Sequence, residues 1–114
     1  MTMRITRLAD AEAFAPLGHT GVGPLRLQGG QDTPTEQVTV VLSHYLPGGQ
    51  ADTSPQPVET VYVLVSGELV MISDGQEATL RPYDSVHFTP GTVRQVVNRS
   101  PLPASMLVIR PAAK

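Results

Sequence analysis

The sequence predicts an all-β protein, a sandwich or barrel of short strands, on three observations. Apolar and β-branched residues alternate with polar ones along most of the chain, the two-residue period of half-buried strands. Eleven prolines and ten glycines fall between those runs without clustering into a linker, which suits many short strands joined by turns. A helix-like pattern occurs only over Asp10–Phe14, with Asp10 as candidate N-cap, and a stretch that short holds no more than one turn. Strands nearly everywhere with almost no helix leave a sandwich or a barrel.

The expected strands follow in order. Arg4–Leu8 and Val22–Gln28 mix polar and apolar side chains, and Val38–Leu46 and Val58–Val65 are rich in valine, a residue that packs well on a pleated surface. Glu68–Ser73 and Glu77–Leu80 come next, with Ser66-Gly67 and Asp74-Gly75 before and between them. Each of those two pairs supplies the glycine that a tight hairpin needs for positive φ. Ser85–Phe88, Val93–Asn98 and Ala104–Arg110 complete the set. Pro47, Pro82, Pro90, Pro101, Pro103 and Pro111 lie at strand ends or between strands, where a missing N–H breaks no central ladder.

A chain of 114 residues fits one domain and buries roughly 65% of its unfolded surface, enough for one real core. We expect a single domain over residues 1–114, with an N-terminal arm over 1–20 and a barrel core over 36–110. No run of about 18 apolar residues is present, so no membrane partner is expected. The first eight residues carry arginines and no long apolar stretch, so no secretory leader is expected. Cysteine is absent, which removes disulfides and thiolate metal sites and makes the cytoplasm the expected location. With a net charge of −2, scattered arginines and Lys114 as the one lysine, no nucleic-acid partner is expected. Neither a Gly-x-Ser-x-Gly elbow nor a glycine-rich phosphate loop before a helix occurs, which argues against a serine hydrolase and against the usual nucleotide sites.

Pro47-Gly48-Gly49 followed by Glu59-Thr60-Val61-Tyr62-Val63-Leu64-Val65-Ser66-Gly67-Glu68-Leu69 resembles the first motif of the cupin superfamily. That motif is a glycine, five residues, His-x-His, three or four residues, Glu, six residues and a glycine. Counted from Gly48, its histidine positions fall on Ser54 and Gln56, its glutamate on Thr60 and its closing glycine on Gly67. The stretch from Tyr83 to Asn98 resembles the second motif, Pro-x-Gly-x-x-His-x-x-x-Asn, with those positions on Thr89, Gly91, Arg94 and Asn98. The resemblance covers about a third of the chain and implies a cupin-type jelly-roll β-barrel. The turn-making glycines and Asn98 match, whereas the metal-binding positions do not. Members with three histidines and a glutamate bind iron, manganese, nickel or zinc and act as dioxygenases, isomerases or decarboxylases.

Ser54, Gln56 and Thr60 offer weak neutral donors, and the guanidinium of Arg94 cannot coordinate at all and repels a cation. No metal and no other cofactor is therefore expected. Three histidines remain. Alternation through Val38, Val40, Leu42, His44 and Leu46 turns His44 toward the apolar interior face. His87 alternates with Val86 and Phe88 and is expected on the opposite face, and His19 sits in a glycine-rich loop with no set direction.

Arg94 shares a face with Val96 and Asn98, the interior face by the motif match. A buried guanidinium stays charged and needs a partner. Solvent at the barrel mouth, an internal acid such as Glu59, or a ligand carboxylate or phosphate can each supply it. The expected function is metal-independent binding of a small anionic metabolite by Arg94, Gln56, His44, Tyr62, Thr60 and Ser54. The alternatives are an enzyme of isomerase, decarboxylase or dioxygenase type with atypical ligands including His44, and an accessory dimer whose pocket has closed. Glu59, Val61, Val63 and Val65 form an outward face that is mostly apolar, and such a face calls for a cover, so a homodimer is expected.

Overall fold

A computed structural model describes residues 2–112; Met1, Ala113 and Lys114 lie outside the described residues. In chain order the strands are β1 (Glu12–Ala13), β2 (His19–Gln28), β3 (Val38–Pro55), β4 (Thr60–Ser66), β5 (Leu69–Ser73), β6 (Gln76–Leu80), β7 (Ser85–Phe88), β8 (Val93–Val97) and β9 (Ala104–Pro111). All the pairings are antiparallel. The hydrogen-bonded order is β6-β5-β8-β3-β9-β4-β7, with β2 on β3 and β1 on β2. The result is a nearly closed all-β barrel, as the strand pattern and the motif spacing predict. No helix among the described residues is long and apolar enough to cross a membrane.

The 18-residue β3 serves both sheets of the barrel. Its first half, Val38 to Tyr45, pairs with β9 and β2, and its second half, from Gln50 onward, pairs with β8 and, at Gln50 and Ala51, with the start of β2. Between the halves lies the corner Pro47-Gly48-Gly49, with Gly48 at φ +79, a conformation open to glycine at no steric cost. Asn98 clamps this corner from beneath. Its Nδ2 donates to the carbonyls of Tyr45, Leu46 and Leu102, at 3.2, 3.3 and 2.9 Å, and its Oδ1 accepts from the Ser100 N–H at 3.0 Å. Backbone bonds from Gly48 N to Asn98 O and from Asn98 N to Gly49 O, both 2.9 Å, close the arrangement. One buried amide thus ties together the carbonyls of two connections.

The interior follows the two-residue period. Val41, Ser43 and Tyr45 of β3 stand opposite Val108, Met106 and Ala104 of β9, and Tyr62 and Leu64 of β4 extend the same rows. Across the barrel Ala51, Leu69, Met71 and Val96 close the core. Tyr62 meets Phe88 edge-on at 5.3 Å between ring centroids, a favoured aromatic geometry.

Four expectations are corrected. His44 does not face the interior: Ser43 and Tyr45 are buried, and the half-buried His44 lies on the outer face with Nδ1 2.8 Å from Ser105 Oγ. Both faces of this strand are apolar, so hydrophobicity could not choose between two registers that differ by one residue. Ser66-Gly67 is not a hairpin, because β4 and β5 are not paired. The chain changes sheets there, and Gly67 (φ +77) is needed because a Cβ would stand 2.6 Å from the Pro103 carbonyl oxygen. Asp74-Gly75 does make the two-residue hairpin, both residues having positive φ, between Ser73 and its partner Gln76. Residues 4–8 form no strand except that Leu8 opens a 3-10 turn, Leu8–Asp10, whose N-cap is Arg7 and not Asp10. Beyond it the expected helical turn is replaced by β1, and the arm is held by Phe14 N to Pro24 O (3.3 Å) and by Arg26 stacked 3.8 Å over Phe14.

Replacing Asn98, which has no exposed surface, by alanine removes four side-chain hydrogen bonds from the corner and should destabilise the protein by about 3 kcal/mol. Urea unfolding of Asn98→Ala measures this; a loss below about 0.5 kcal/mol would show that the corner does not depend on the clamp.

Candidate functional site

Arg94 projects inward from β8, directly opposite Ser54 of β3, and is 3% exposed. Its Nε donates to the Tyr62 hydroxyl at 2.9 Å, and its Nη1 donates to the Asp52 carbonyl at 3.0 Å and to Ser54 Oγ at 3.1 Å. Arg110, the last inward residue of β9, donates from Nη2 to Gln56 Oε1 at 2.7 Å and from Nε to Thr60 Oγ1 at 3.3 Å. The Tyr62 hydroxyl lies 3.4 Å from the same Gln56 oxygen. The two guanidiniums are therefore tied to one neutral scaffold, Tyr62 and Gln56, and not to acids.

A cavity of about 110 Å³ opens beside them, lined by Ser43, Tyr45, Tyr62, Arg94, Met106, Val108 and Arg110 with Thr39, Val41 and Pro24. The arm contributes Phe14 and Pro16, and β2 contributes His19 at the mouth. No carboxylate lines it. Every ion pair among the described residues lies elsewhere: Arg26–Glu12, Arg81–Glu68, His87–Glu59 and Arg99–Glu77. Glu59 in particular pairs with His87 at 2.8 Å on the outer face, so it does not neutralise Arg94. Burial pushes the Tyr45 hydroxyl well above the usual tyrosine range; Tyr62 adds to this, and the charges of Arg94 and Arg110 offset it only in part. Tyr45 is thus a proton donor at any physiological pH.

The structure brings together Ser54, Gln56, Thr60, Tyr62 and Arg94, and it leaves His44 outside. Three residues that matter in the cavity went unassigned in the sequence. For Arg110 a signal existed, since alternation through Met106 and Val108 places it inside. Tyr45 was hidden by the reversed register of its strand. His19 had none, because its position is set by pairing of β2 with Ala51 of β3; its Nδ1 lies 2.9 Å from the Leu17 carbonyl.

The donor set does not fit a metal ion. Gln56 Oε1 is already approached by Arg110, Tyr62 and Thr60, so its lone pairs point at N–H and O–H groups. Two fixed positive charges beside it would repel a divalent cation.

Fold and site together define an antiparallel jelly-roll barrel whose cavity is lined by Arg94, at a motif position, and by Arg110. The chain belongs to the cupin family: residues 41–110 match the cupin domain. It is 42% identical over 106 residues to beta-D-galactosidase Rv1717 of Mycobacterium tuberculosis, a match spanning 93% of this chain and 91% of that one. Among solved structures it is similar to the polyketide cyclase RemF from Streptomyces resistomycificus, with a TM-score of 0.87 and 14% identity over 98% of this chain and 81% of that chain. It is also similar to a cupin-superfamily sugar phosphate isomerase from Silicibacter pomeroyi, with a TM-score of 0.72 and 28% identity over 82% of this chain and 60% of that one.

Proposed function

We propose that this cupin binds a small anionic, sugar-sized molecule inside the barrel, with no metal at the motif positions. The observation that carries this reading is the charge of Arg94, 3% exposed, lining a cavity and facing no carboxylate. A buried guanidinium cannot shed its charge, and its neutral partners take up Nε and Nη1 without neutralising it. An anionic ligand would neutralise it. That the ligand is a sugar or a sugar derivative is supported by the Mycobacterium tuberculosis and Silicibacter pomeroyi relatives, whose names both concern sugars. The open cavity speaks against an accessory role with a closed pocket, and the outer position of His44 removes it as an interior ligand.

The 42% identity to a beta-D-galactosidase favours a second reading, hydrolysis of a β-galactoside. Glycosidases ordinarily work with two carboxylates flanking the scissile bond, and none lines this cavity. Proton transfer would fall to His19. A carbonyl can only accept, so the Leu17 contact holds the proton of the neutral ring on Nδ1 and leaves the Nε2 lone pair free.

The outer sheet face supports a homodimer. Leu25, Leu42, Leu107 and Val63 stand in one row across β2, β3, β9 and β4, and Val40, Ile109 and Val61 stand in the next. All seven are only half-buried in the single chain, and a contiguous apolar surface of this kind is usually covered by a partner.

Three experiments follow from these readings. In a thermal-shift series of hexuronates and other sugar acids, a binder at about a hundred times its Kd should stabilise the wild type by roughly 2.7 kcal/mol and leave Arg94→Ala unmoved; equal responses from both proteins would remove the anion reading. Wild type should release the chromophore from a chromogenic β-D-galactoside if the second reading holds, with kcat falling about a hundredfold or more in His19→Gln, and an inert wild type rules it out. Light scattering behind size exclusion should show a dimer that Leu107→Asp converts to monomer; a wild-type monomer would discard that assembly.

A further inference from the structure

We propose that Arg94 and Arg110 form a two-guanidinium seat for a phosphoryl group, so that the ligand of the cavity is a phosphate monoester of a small polyol or sugar. This rests on the reading of the cavity as an anion site and deepens it by naming the anion.

The starting point is the set of polar groups that line the cavity and have no partner in the protein. The hydrogen bonds of Arg94 use Nε and Nη1, and those of Arg110 use Nε and Nη2. Nη2 of Arg94 and Nη1 of Arg110 therefore make none among the described residues. The hydroxyls of Tyr45 and Ser43, residues 2% and 6% exposed, make none either. Yet no sealed side-chain nitrogen or oxygen lacks a partner. These four groups are consequently open to the space they line, which is one and the same cavity. These donors, two of them on guanidiniums, converge on one cavity, an arrangement suited to an acceptor with several oxygens.

Charge selects among acceptors. A monocarboxylate cancels one guanidinium and leaves the other uncompensated in a poorly solvated interior. A phosphate monoester carries close to two negative charges at neutral pH and three terminal oxygens, enough to receive both arginines and a hydroxyl. The arginines come from β8 and β9, which both pair with β3, and are linked through the Tyr62 hydroxyl and Gln56 Oε1. That link joins two positive charges in a network without a carboxylate, and a dianion would offset both.

Gln56 makes the proposal separable from a structural role of the same network. Its amide oxygen accepts from Arg110 at 2.7 Å. Gln56→Glu keeps shape and acceptor and adds the negative charge that the cavity lacks.

The test is calorimetric titration of the full chain with a hexose phosphate, the matching hexuronate, the matching neutral hexose and inorganic phosphate. We expect the hexose phosphate to bind at least about tenfold tighter than the hexuronate and the neutral hexose not to bind. Arg110→Gln should bring the phosphate ester down to the affinity of the hexuronate, and Gln56→Glu should abolish phosphate binding with no loss of Tm. Arg99→Gln, which removes an exposed arginine paired with Glu77, should change neither. Inorganic phosphate binding as tightly as the ester would support the seat and assign it to free phosphate. A hexuronate that binds as tightly as the ester, through Arg94 and without regard to Arg110, overturns the proposal while the anion reading stands. If no anion binds, both fall.

Discussion

A permanently charged guanidinium inside the barrel is the constraint to which the site residues answer. Arg94 cannot be neutralised by losing a proton, so the groups around it must be acceptors: the Tyr62 hydroxyl, Ser54 Oγ and the Asp52 carbonyl. Tyr62 can serve because its ring is fixed against Phe88. Gln56, next in the network, takes the second guanidinium, Arg110. The motif positions that hold metal ligands in other cupins are thus not simply vacated. They are rebuilt as a neutral hydrogen-bonding frame around positive charge, with Tyr62, Ser54, Gln56 and Thr60 accepting from Arg94 and Arg110.

A second constraint is that β3 runs through both sheets. One strand can do so only if it bends sharply, and the Pro47-Gly48-Gly49 corner held by Asn98 permits that bend. The bend places Tyr45 and Ser43 on one wall of the cavity while Ser54, near the other end of the same strand, meets Arg94 across the barrel. Packing and site geometry therefore share a single element, and a change at the corner would be felt at the arginines.

Much of the fold was legible because period-two alternation agrees with most of the turn signals, although Pro47 does not end its strand and β3 runs on through the corner to Pro55. Asp74-Gly75 and Ser85–Phe88 fell where the pattern put them. Legibility failed where the pattern had two valid readings. Val38, Val40 and Leu42 are apolar although they face outward, and a strand with two apolar faces does not say which is inside. That ambiguity sent His44 inward and hid Tyr45. It failed again at Ser66-Gly67, where glycine answers to the close Pro103 carbonyl and not to a hairpin, a neighbour 36 residues away in the chain.

By itself the sequence determined the class of fold, the motif register and the loss of metal ligands, because each depends on residue type and local spacing. It also placed Arg94, Gln56, Thr60 and Ser54 in one site, since the glycines and Asn98 kept the count. Only the tertiary structure decided what Arg94 pairs with, that Arg110 joins it from β9, and that His19 reaches the cavity mouth. Those facts depend on which strands become neighbours. Contacts between distant residues leave no period in the sequence to be read.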